Sequence, residues 1–463
     1  MKNKIKYLTL FIITVLIFAG CQDRSDLLAP PAPSPKSGNA DLTTYVAIGN
    51  SLTAGYESSA LYESAQVYSY PNQIAKQVGA SFVQPLIADP GIGGQIKIVS
   101  LYPSLVTKTE PVNGGAPLNL TYPYPYNNLG IPGVVLADVM NSTTTAGSYS
   151  QSPFIDIILR GQGTQFAQAK ALHPTFITLW IGNNDVLGFA ASGGANPSAP
   201  TDATIFAGLF SQLADSLSAT GANVVVANIP SVTAAPFFTT VGPGFAQMLS
   251  AANVQGFYYQ DHNYAPQVGS PTQLANYSML LTLVSQSYIA YFGVPSGKFY
   301  ADNGLNPATF GVDTTQPFGS QLNPIPNALI LDASEIQTAS TAISNFNSTI
   351  SAIASAKGWG LVDINSFLNN VAANGITENG VHFTAAFITG GIFSLDGIHP
   401  TAQGQSIVAN EFIKVINSKF GSSYSLIDVS TIPGSLGLAK TASINLMNKN
   451  TYIDPNFKKY LMF

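Results

Sequence analysis

Two hydrophobic patterns alternate along this chain, one typical of buried strands and the other typical of helices. Short runs of consecutive apolar residues predict strands that are buried on both faces, at 44–48, 176–181, 224–227 and 360–364. Between and after them, a Pro in a first turn or apolar residues at helical spacing predict helices, at 71–78, 204–220, 332–357 and 402–420. Because strands and helices alternate, the pattern predicts a three-layer α/β fold, in which helices cover both faces of a parallel sheet.

Two long stretches, 57–127 and 231–327, do not fit this alternation and are rich in Tyr, Phe, Pro and Gly. Connections of this length inside a compact domain are usually functional lids or small inserted subdomains. We therefore predict one domain over 44–420 that carries two long insertions. The last segment, 421–463, forms a C-terminal extension for which the pattern predicts no role.

Residues 1–20 have the pattern of a secretory signal. Three lysines within the first six residues precede an apolar run over 7–18. This run is too short to cross a bilayer core of about 30 Å. It ends in Ala19-Gly20-Cys21, which resembles a bacterial lipoprotein signal, in which the cysteine is lipidated after cleavage. A plain secretory signal with an incidental cysteine, or an uncleaved anchor, would have a similar pattern.

The segment 21–43 that follows is rich in Pro and Ser, a composition typical of a semi-stiff tether. Together, the signal and the tether predict a lipoprotein of the bacterial cell envelope. It would be anchored to a membrane through a lipid on Cys21, with the outer membrane favoured. The tether would hold the folded body away from the lipid surface.

The charge and cysteine content narrow the classes of function. Charged residues make up 9% of the 463 residues, hydrophobic residues make up 46%, and the net charge is −5. Disorder requires high charge and low hydrophobicity, so we expect the body to fold. Nucleic acid is not an expected partner, because the chain has no basic stripe to neutralise phosphates. Cys21 is the only cysteine, which excludes intramolecular disulfides and a cysteine-based metal site.

A candidate nucleophile follows the first predicted strand, in Gly49-Asn50-Ser51-Leu52. Open α/β sheets place reactive groups at the carboxyl ends of their strands. Helix N-termini and free backbone N–H groups at that edge stabilise developing negative charge. A serine there can also be an ordinary helix N-cap, so the position alone leaves both roles open. No Gly-x-Ser-x-Gly elbow surrounds Ser51, which argues against the α/β-hydrolase fold.

An acid–histidine pair near the C-terminus is the candidate partner of this serine. Asp396 and His399 stand three residues apart, so one short turn can bring the carboxylate to the imidazole. The chain has four histidines. His382 is a second candidate, with Glu378 four residues before it, whereas the other two have no acid at a suitable spacing.

Four separated blocks resemble the motifs of the SGNH (GDSL) hydrolase family, in the family's order. They are Gly49-Asn50-Ser51-Leu52, Asn128-Leu129-Gly130-Ile131-Pro132-Gly133, Gly182-Asn183-Asn184-Asp185 and Asp396-Gly397-Ile398-His399-Pro400. The resemblance covers roughly 44–420 and implies a flavodoxin-like fold with a parallel five-stranded sheet. The family usually has Asp where this chain has Asn50. That position braces the loop, so the departure concerns loop rigidity more than chemistry.

The resemblance also implies a role for each site residue. Ser51 would attack an ester carbonyl, His399 would transfer the proton, and Asp396 would orient the imidazole. The oxyanion hole would combine Ser51, Gly133 and Asn184. A glycine permits close backbone approach, and an asparagine amide donates a hydrogen bond without a permanent charge. The implied function is a serine esterase or lipase that hydrolyses carboxylic esters and needs no cofactor.

The substrate remains open at this point. Aromatic residues in the insertions could form an acyl pocket, a platform for an acylated carbohydrate or only the core of the insertions. They are Tyr122, Tyr124, Tyr126, Phe237, Phe238, Phe257, Tyr258 and Tyr259. The alternation of Tyr and Pro over 122–126 could also form a rigid extended strut. The alternatives to a lipase-like esterase are therefore a carbohydrate O-acyl esterase and a non-catalytic surface protein that binds lipid or glycan.

Overall fold

Five strands pair in parallel to form the central sheet. They are β1 (Tyr45–Gly49), β2 (Asn128–Gly130), β3 (Phe176–Trp180), β4 (Asn223–Ala227) and β5 (Gly360–Val362). Their order across the sheet is β5-β4-β3-β1-β2, which is the flavodoxin-like order. Gly49 stands opposite Gly130 on one side and Trp180 on the other. The carboxyl ends of β1, β2 and β3 therefore lie side by side at one edge of the sheet.

The computed structural model describes residues 36–102 and 105–434. The unit described below begins at Ser37. The predicted signal, Cys21, most of the predicted tether and residues 435–463 lie outside the described residues.

Helices cover both faces of the sheet, as the pattern predicts. They are α1 (Ser51–Ala54), α2 (Tyr70–Val78), α3 (Gln165–Ala171), α4 (Asn184–Ala191), α5 (Ala203–Ser218), α6 (Ala333–Lys357), α7 (Ile364–Asn374) and α8 (Ala402–Phe420). Successive residues of a strand point to opposite faces. Val46 and Ile48 of β1 accordingly pack in the core beneath α3, α4, α5 and α6, and Tyr45 and Ala47 pack beneath α2 and α8. Among the helices of the described ranges, none has the length and hydropathy of a membrane-crossing segment.

All four predicted strands and all four predicted helices are present, with ends that differ by two residues at most. The pattern missed β2, α1, α3, α4 and α7. Three residues of β2 are too few to form an apolar run, and its first residue, Asn128, is a buried polar side chain whose Nδ2 donates to the Thr53 carbonyl (2.9 Å). Tertiary hydrogen bonding, rather than local hydrophobicity, places this strand at the sheet edge.

The first predicted insertion, 57–127, contains α2, which belongs to the main helical layer. The Tyr70 ring of α2 stacks on Phe412 of α8 with centroids 4.6 Å apart. This insertion is therefore not one continuous loop, because α2 divides it. It includes an antiparallel hairpin of Ile96–Ser100 and Val106–Thr109.

The second predicted insertion, 231–327, forms a small subdomain with its own core. It contains a helix at Val241–Ala251 and a hairpin of Phe257–Gln260 and Pro266–Gly269. Phe245 and Phe257 are fully buried there, with ring centroids 5.6 Å apart. The core of this subdomain extends past residue 327 to Ile330.

Both ends of the described chain pack on the body, which corrects two predicted boundaries. Ala40 and Leu42, in the segment assigned to the tether, are buried, and the Asn39 N–H donates to the Phe420 carbonyl (2.8 Å). The body therefore begins near residue 37 rather than 44.

The start of the predicted C-terminal extension also belongs to the body. The Asn410 side chain on α8 accepts from the Ile427 N–H (2.7 Å) and donates to the Ile427 carbonyl (3.0 Å). Val429 is fully buried. Residues 421–434 therefore cover α8.

Candidate active site

Ser51 begins α1 directly after β1, at the sheet edge where the strands end. Asn50 is its helix N-cap, and the Asn50 Oδ1 accepts from the Leu52 N–H (3.1 Å). The Asn50 Nδ2 donates to the Asn183 Oδ1 (3.1 Å), and the Asn50 side chain is fully buried. Asn50 therefore joins the loop after β1 to the loop after β3. This bond braces the loop at the position where the family that the sequence resembles usually has Asp.

Ser51, His399 and Asp396 form a continuous hydrogen-bonded chain. The Ser51 Oγ lies 2.9 Å from the His399 Nε2, and the His399 Nδ1 lies 2.9 Å from the Asp396 Oδ2. Ser51 and His399 are 348 positions apart in the sequence, and β1 and the loop before α8 bring them together. The structure thus places three of the predicted site residues in the geometry of a nucleophile, a base and an orienting acid.

Asp396 is held by several donors besides the imidazole. Its Oδ1 accepts from the Ile398 N–H and the His399 N–H, both at 2.9 Å, and from the Ser394 Oγ at 3.1 Å. Its Oδ2 accepts from the Ser59 N–H at 2.8 Å. Burial alone would raise the pKa of this carboxyl, but the charge of His399 and these donors together lower it to about 2. The carboxylate is therefore ionised across the neutral range.

The turn that carries this pair is built from local features of Asp396-x-x-His399-Pro. The two backbone N–H bonds to the Asp396 Oδ1 close the turn on itself. Gly397 adopts a φ of +71°, a left-handed conformation that glycine adopts at little cost. Thr401 then caps α8, its side chain accepting from the Gly404 N–H. The backbone around His399 is consequently held on one side by Asp396 and on the other by the start of α8.

The predicted oxyanion residues lie on the neighbouring loops. Gly133 follows β2 with a φ of +84°, a backbone conformation that favours glycine. Asn184 begins α4 after β3, and its Nδ2 donates to the Val134 carbonyl (2.8 Å), which leaves its second N–H for a ligand. Ser51, Gly133, Asn184 and His399 all line one surface depression. The structure therefore brings all the predicted site residues of the described chain together.

Asp185 joins the two oxyanion loops from below. Its Oδ2 accepts from the Leu136 N–H (2.8 Å) and its Oδ1 from the Thr201 Oγ1 (2.9 Å). Burial raises the pKa of this carboxyl to about 6, although both donors act to lower it. Asp185 therefore supports these two loops, because it lies beneath them rather than at Ser51.

Sequence reasoning missed Tyr56 and Ser59, which support the acid–histidine pair from the segment between α1 and α2. The Tyr56 ring lies 4.8 Å from the His399 ring, centroid to centroid, and its hydroxyl donates to the Ser59 carbonyl (2.6 Å). Ser58 and Ser59 both have positive φ, a conformation unusual for serine, which turns the Ser59 N–H toward Asp396. No motif marks these residues. The only available signal was that they follow the Ser51 block directly.

The aromatic residues of the insertions, for which a substrate-binding and a structural role were both open, mostly serve structural purposes. Phe238 and Phe257 are buried in cores, and only Phe237 of that group lines a cavity next to His399. Tyr126 is fully buried and stacks on Tyr122 with centroids 5.8 Å apart. These positions favour the interpretation that the aromatic residues build the insertions themselves.

Arg160 holds the Tyr-Pro segment as a strut against the body. Its guanidinium donates to the carbonyls of Leu120, Tyr122 and Tyr124 and lies 3.9 Å from the centroid of the Tyr126 ring. The segment is thus fixed through its main chain, as expected of a strut.

His382, the second histidine candidate, is not brought to the site. It lies exposed on the hairpin of Ile376–Glu378 and Val381–Phe383, with its Nδ1 3.3 Å from the Thr377 Oγ1. His262 lies instead 3.9 Å from the carboxylate of Glu335 on α6. The spacing of three residues between Asp396 and His399 therefore identified the histidine of the site, whereas the spacing of four residues between Glu378 and His382 did not.

Comparison with known proteins agrees with this fold. The family model described as GDSL-like Lipase/Acylhydrolase matches residues 45–412, which includes all four motif blocks. No curated protein matches the chain. The matched range runs from the start of β1 into α8 and covers most of the chain. This chain therefore belongs to the GDSL-like family of lipases and acylhydrolases, with a five-stranded, all-parallel α/β fold.

Proposed function

We propose that this protein is a serine esterase that hydrolyses carboxylic esters through Ser51, His399 and Asp396. The observation that carries the proposal is the chain of two 2.9 Å hydrogen bonds from the Ser51 Oγ through the imidazole to the Asp396 carboxylate. Membership of a family of acylhydrolases supports the same class of reaction. Because all three members of the triad are present, catalysis explains this site better than a purely binding role does.

The first half-reaction acylates the enzyme. The Ser51 Oγ forms a bond to the ester carbonyl carbon while its proton passes to the His399 Nε2. Negative charge develops on the carbonyl oxygen, which the backbone N–H groups of Ser51 and Gly133 and the Asn184 amide would stabilise. Loss of one such donor typically costs about 2.7–4 kcal/mol of barrier. The bond to the alcohol oxygen then breaks, and the imidazolium returns its proton to the leaving alcohol.

The second half-reaction releases the acid. Water gives a proton to the His399 Nε2 and forms a bond to the acyl carbon, and the bond to the Ser51 Oγ breaks as that oxygen recovers the proton. Asp396 stays ionised throughout, because its pKa of about 2 lies far below neutral pH. No further group is required by this sequence of steps.

We also propose that the body is held on an envelope membrane through a lipid on Cys21. This proposal rests on the sequence pattern alone. Between Cys21 and the body at Ser37 lie residues 22–36, which could span about 45–50 Å at roughly 3.1–3.3 Å per residue. Replacing Cys21 by Ser should move the full-length protein from the membrane fraction to the soluble fraction of its native cells and abolish labelling by an alkyne fatty acid.

The test of the enzymatic proposal compares the full-length protein with its Ser51→Ala variant. We expect hydrolysis of aryl esters by the parent, with at least a 10³-fold loss in the variant. A fluorophosphonate should add its mass to the parent and not to Ser51→Ala. Ser351→Ala, on the exposed face of α6, is the matched control and should behave as the parent. Equal hydrolysis by Ser51→Ala would refute the proposal.

A carbohydrate O-acyl esterase remains the second candidate. It would use the same triad and differ in the groups that bind the acyl and alcohol moieties. The cavities around Ser51 bear on that choice.

A further inference from the structure

We propose that the acyl chain of the substrate binds in a narrow apolar pocket beside Ser51, and that the preferred acyl group is an extended aliphatic chain longer than butanoyl. This inference rests on the proposed esterase function and assigns the substrate class of the same site. The pocket lies at the carboxyl edge of the sheet, between α7, α8 and the start of the second insertion.

The body of this pocket is apolar on every side. Its floor consists of buried side chains at the end of β3 and on α1 and α8, namely Leu52, Trp180, Ile407 and Val408. Its other walls come from Val232, Ala234, Ala235, Leu368, Ala372 and Ile392. Burial of an aliphatic chain against such walls is favourable by about 0.8 kcal/mol per CH₂, which corresponds to roughly a fourfold effect.

The polar groups of the pocket lie beside Ser51, lie where a second depression adjoins it, or are already hydrogen-bonded. Asn183 and Asn184 lie beside Ser51, at the end that would hold the ester carbonyl. Ser231 and Asn369 also line a second, polar depression, so they lie where the two depressions meet. The Trp180 Nε1 donates to the Asn228 carbonyl (3.1 Å), so the indole presents its apolar surface. A sugar hydroxyl in the middle of this pocket would lose its hydrogen bonds to water without replacement.

The length of the pocket exceeds that of an acetyl group. Gly404 and Val408 both line it, one helical turn apart on α8, which makes this wall about 6 Å long at 1.5 Å per residue. A carbon–carbon bond is about 1.5 Å long, so an acetyl group would leave most of the wall uncovered. An extended chain of six or more carbons would cover it.

The alcohol part of the ester has a separate and wider place. An open cleft next to His399 and Asp396 is lined by residues from both insertions, including Leu105 from the first and Phe237 and Val284 from the second. The imidazole gives its proton to the leaving alcohol, so the alcohol must lie on the His399 side. The two insertions therefore form the alcohol side of the site, and the sheet edge with α7 and α8 forms the acyl side.

The experiment measures kcat/KM of the full-length protein for p-nitrophenyl acetate, butanoate, octanoate and decanoate. We expect the value for octanoate to exceed the value for acetate by at least about tenfold. In Ala372→Phe, a large ring at the exposed rim of the pocket should lower the octanoate-to-acetate ratio by at least tenfold. Ala373→Phe is the matched control, because Ala373 is the next exposed residue of α7 and does not line the pocket. Its ratio should equal that of the parent.

A second variant tests another wall of the pocket. Ala235→Phe, at the start of the second insertion, should lower the same ratio, so the inference does not depend on one substitution. A parent that prefers acetate, or a ratio that Ala372→Phe and Ala235→Phe leave unchanged, would overturn the acyl assignment while the esterase proposal stands. An equal fall of the ratio in Ala373→Phe would also overturn it. Failure of the parent to hydrolyse any of the four esters would overturn both.

Discussion

Replacing Asp396 by Asn should nearly abolish hydrolysis while the protein stays folded. The Asp396 Oδ1 accepts two backbone N–H groups, from Ile398 and His399, so an asparagine would keep its single carbonyl oxygen there. Its NH₂ group would then face the His399 Nδ1 and the Ser59 N–H, where the carboxylate oxygen now accepts at 2.9 and 2.8 Å. Two donors cannot bond each other, so the imidazole would carry its proton on Nε2 instead.

In that tautomer the Nε2 cannot take the proton of Ser51. A tautomer error of this kind lowers kcat by about 10⁴-fold, equivalent to about 5.5 kcal/mol of barrier. The Ser59 N–H would also lose its acceptor, which should lower the free energy of unfolding by about 1–3 kcal/mol. Assays of aryl ester hydrolysis measure the loss in kcat, and urea unfolding curves of the same sample measure the loss in the free energy of unfolding.

Ser394→Ala is the control for this substitution. It removes one donor to the Asp396 Oδ1 and the acceptor of the Ser58 N–H (2.9 Å) but leaves the tautomer unaffected, so we expect a loss of less than about tenfold in kcat. A folded Asp396→Asn variant that retained more than a tenth of the parent kcat would show that Asp396 does not orient His399, and the reasoning above would be refuted.

Substitutions at three further residues test contacts around the site and elsewhere in the fold. Tyr56→Phe keeps the ring against His399 but removes the hydrogen bond from the hydroxyl to the Ser59 carbonyl. In steady-state assays with a short ester, kcat should fall by about 3- to 10-fold, and KM should stay within about twofold of the parent value. A change confined to KM would contradict a positioning role. Arg160→Met removes three hydrogen bonds and the contact with the Tyr126 ring, so the free energy of unfolding should fall by about 2 kcal/mol, and Arg160→Lys should recover less than half of the loss. Burial raises the pKa of Glu335 from 4.5 to about 7, so its favourable contribution to folding is present below pH 4.5 and is lost as the pH rises through about 7. Glu335→Gln should therefore be more stable than the parent by about 1 kcal/mol at pH 8 and not at pH 4.5. An equal difference in the free energy of unfolding at both pH values, measured with urea, would argue against ionisation of the buried Glu335 carboxyl as the cause.

The sequence alone determined the class of fold and the identities of the candidate site residues. Consecutive apolar residues and helical spacing are local properties, so they predicted β1, β3, β4 and β5 within two residues at each end. The spacing of Asp396 and His399 is also local, since one turn brings the acid to the imidazole. Residues whose role depends on near neighbours in the chain can be found in this way.

Only the tertiary structure decided which distant residues meet. Ser51 reaches His399 because parallel strands end at one edge of the sheet and α8 starts beside them, a relation that no local pattern contains. No motif marks Tyr56 and Ser59, because their function depends on a turn of positive φ that faces a loop more than 300 residues away. The same holds for the aromatic residues of the insertions, which pack into cores, and for the small alanines of α7 and the second insertion, which leave room beside Ser51. Composition records which side chains are available, whereas packing of distant segments decides which of them are covered and which line a cavity.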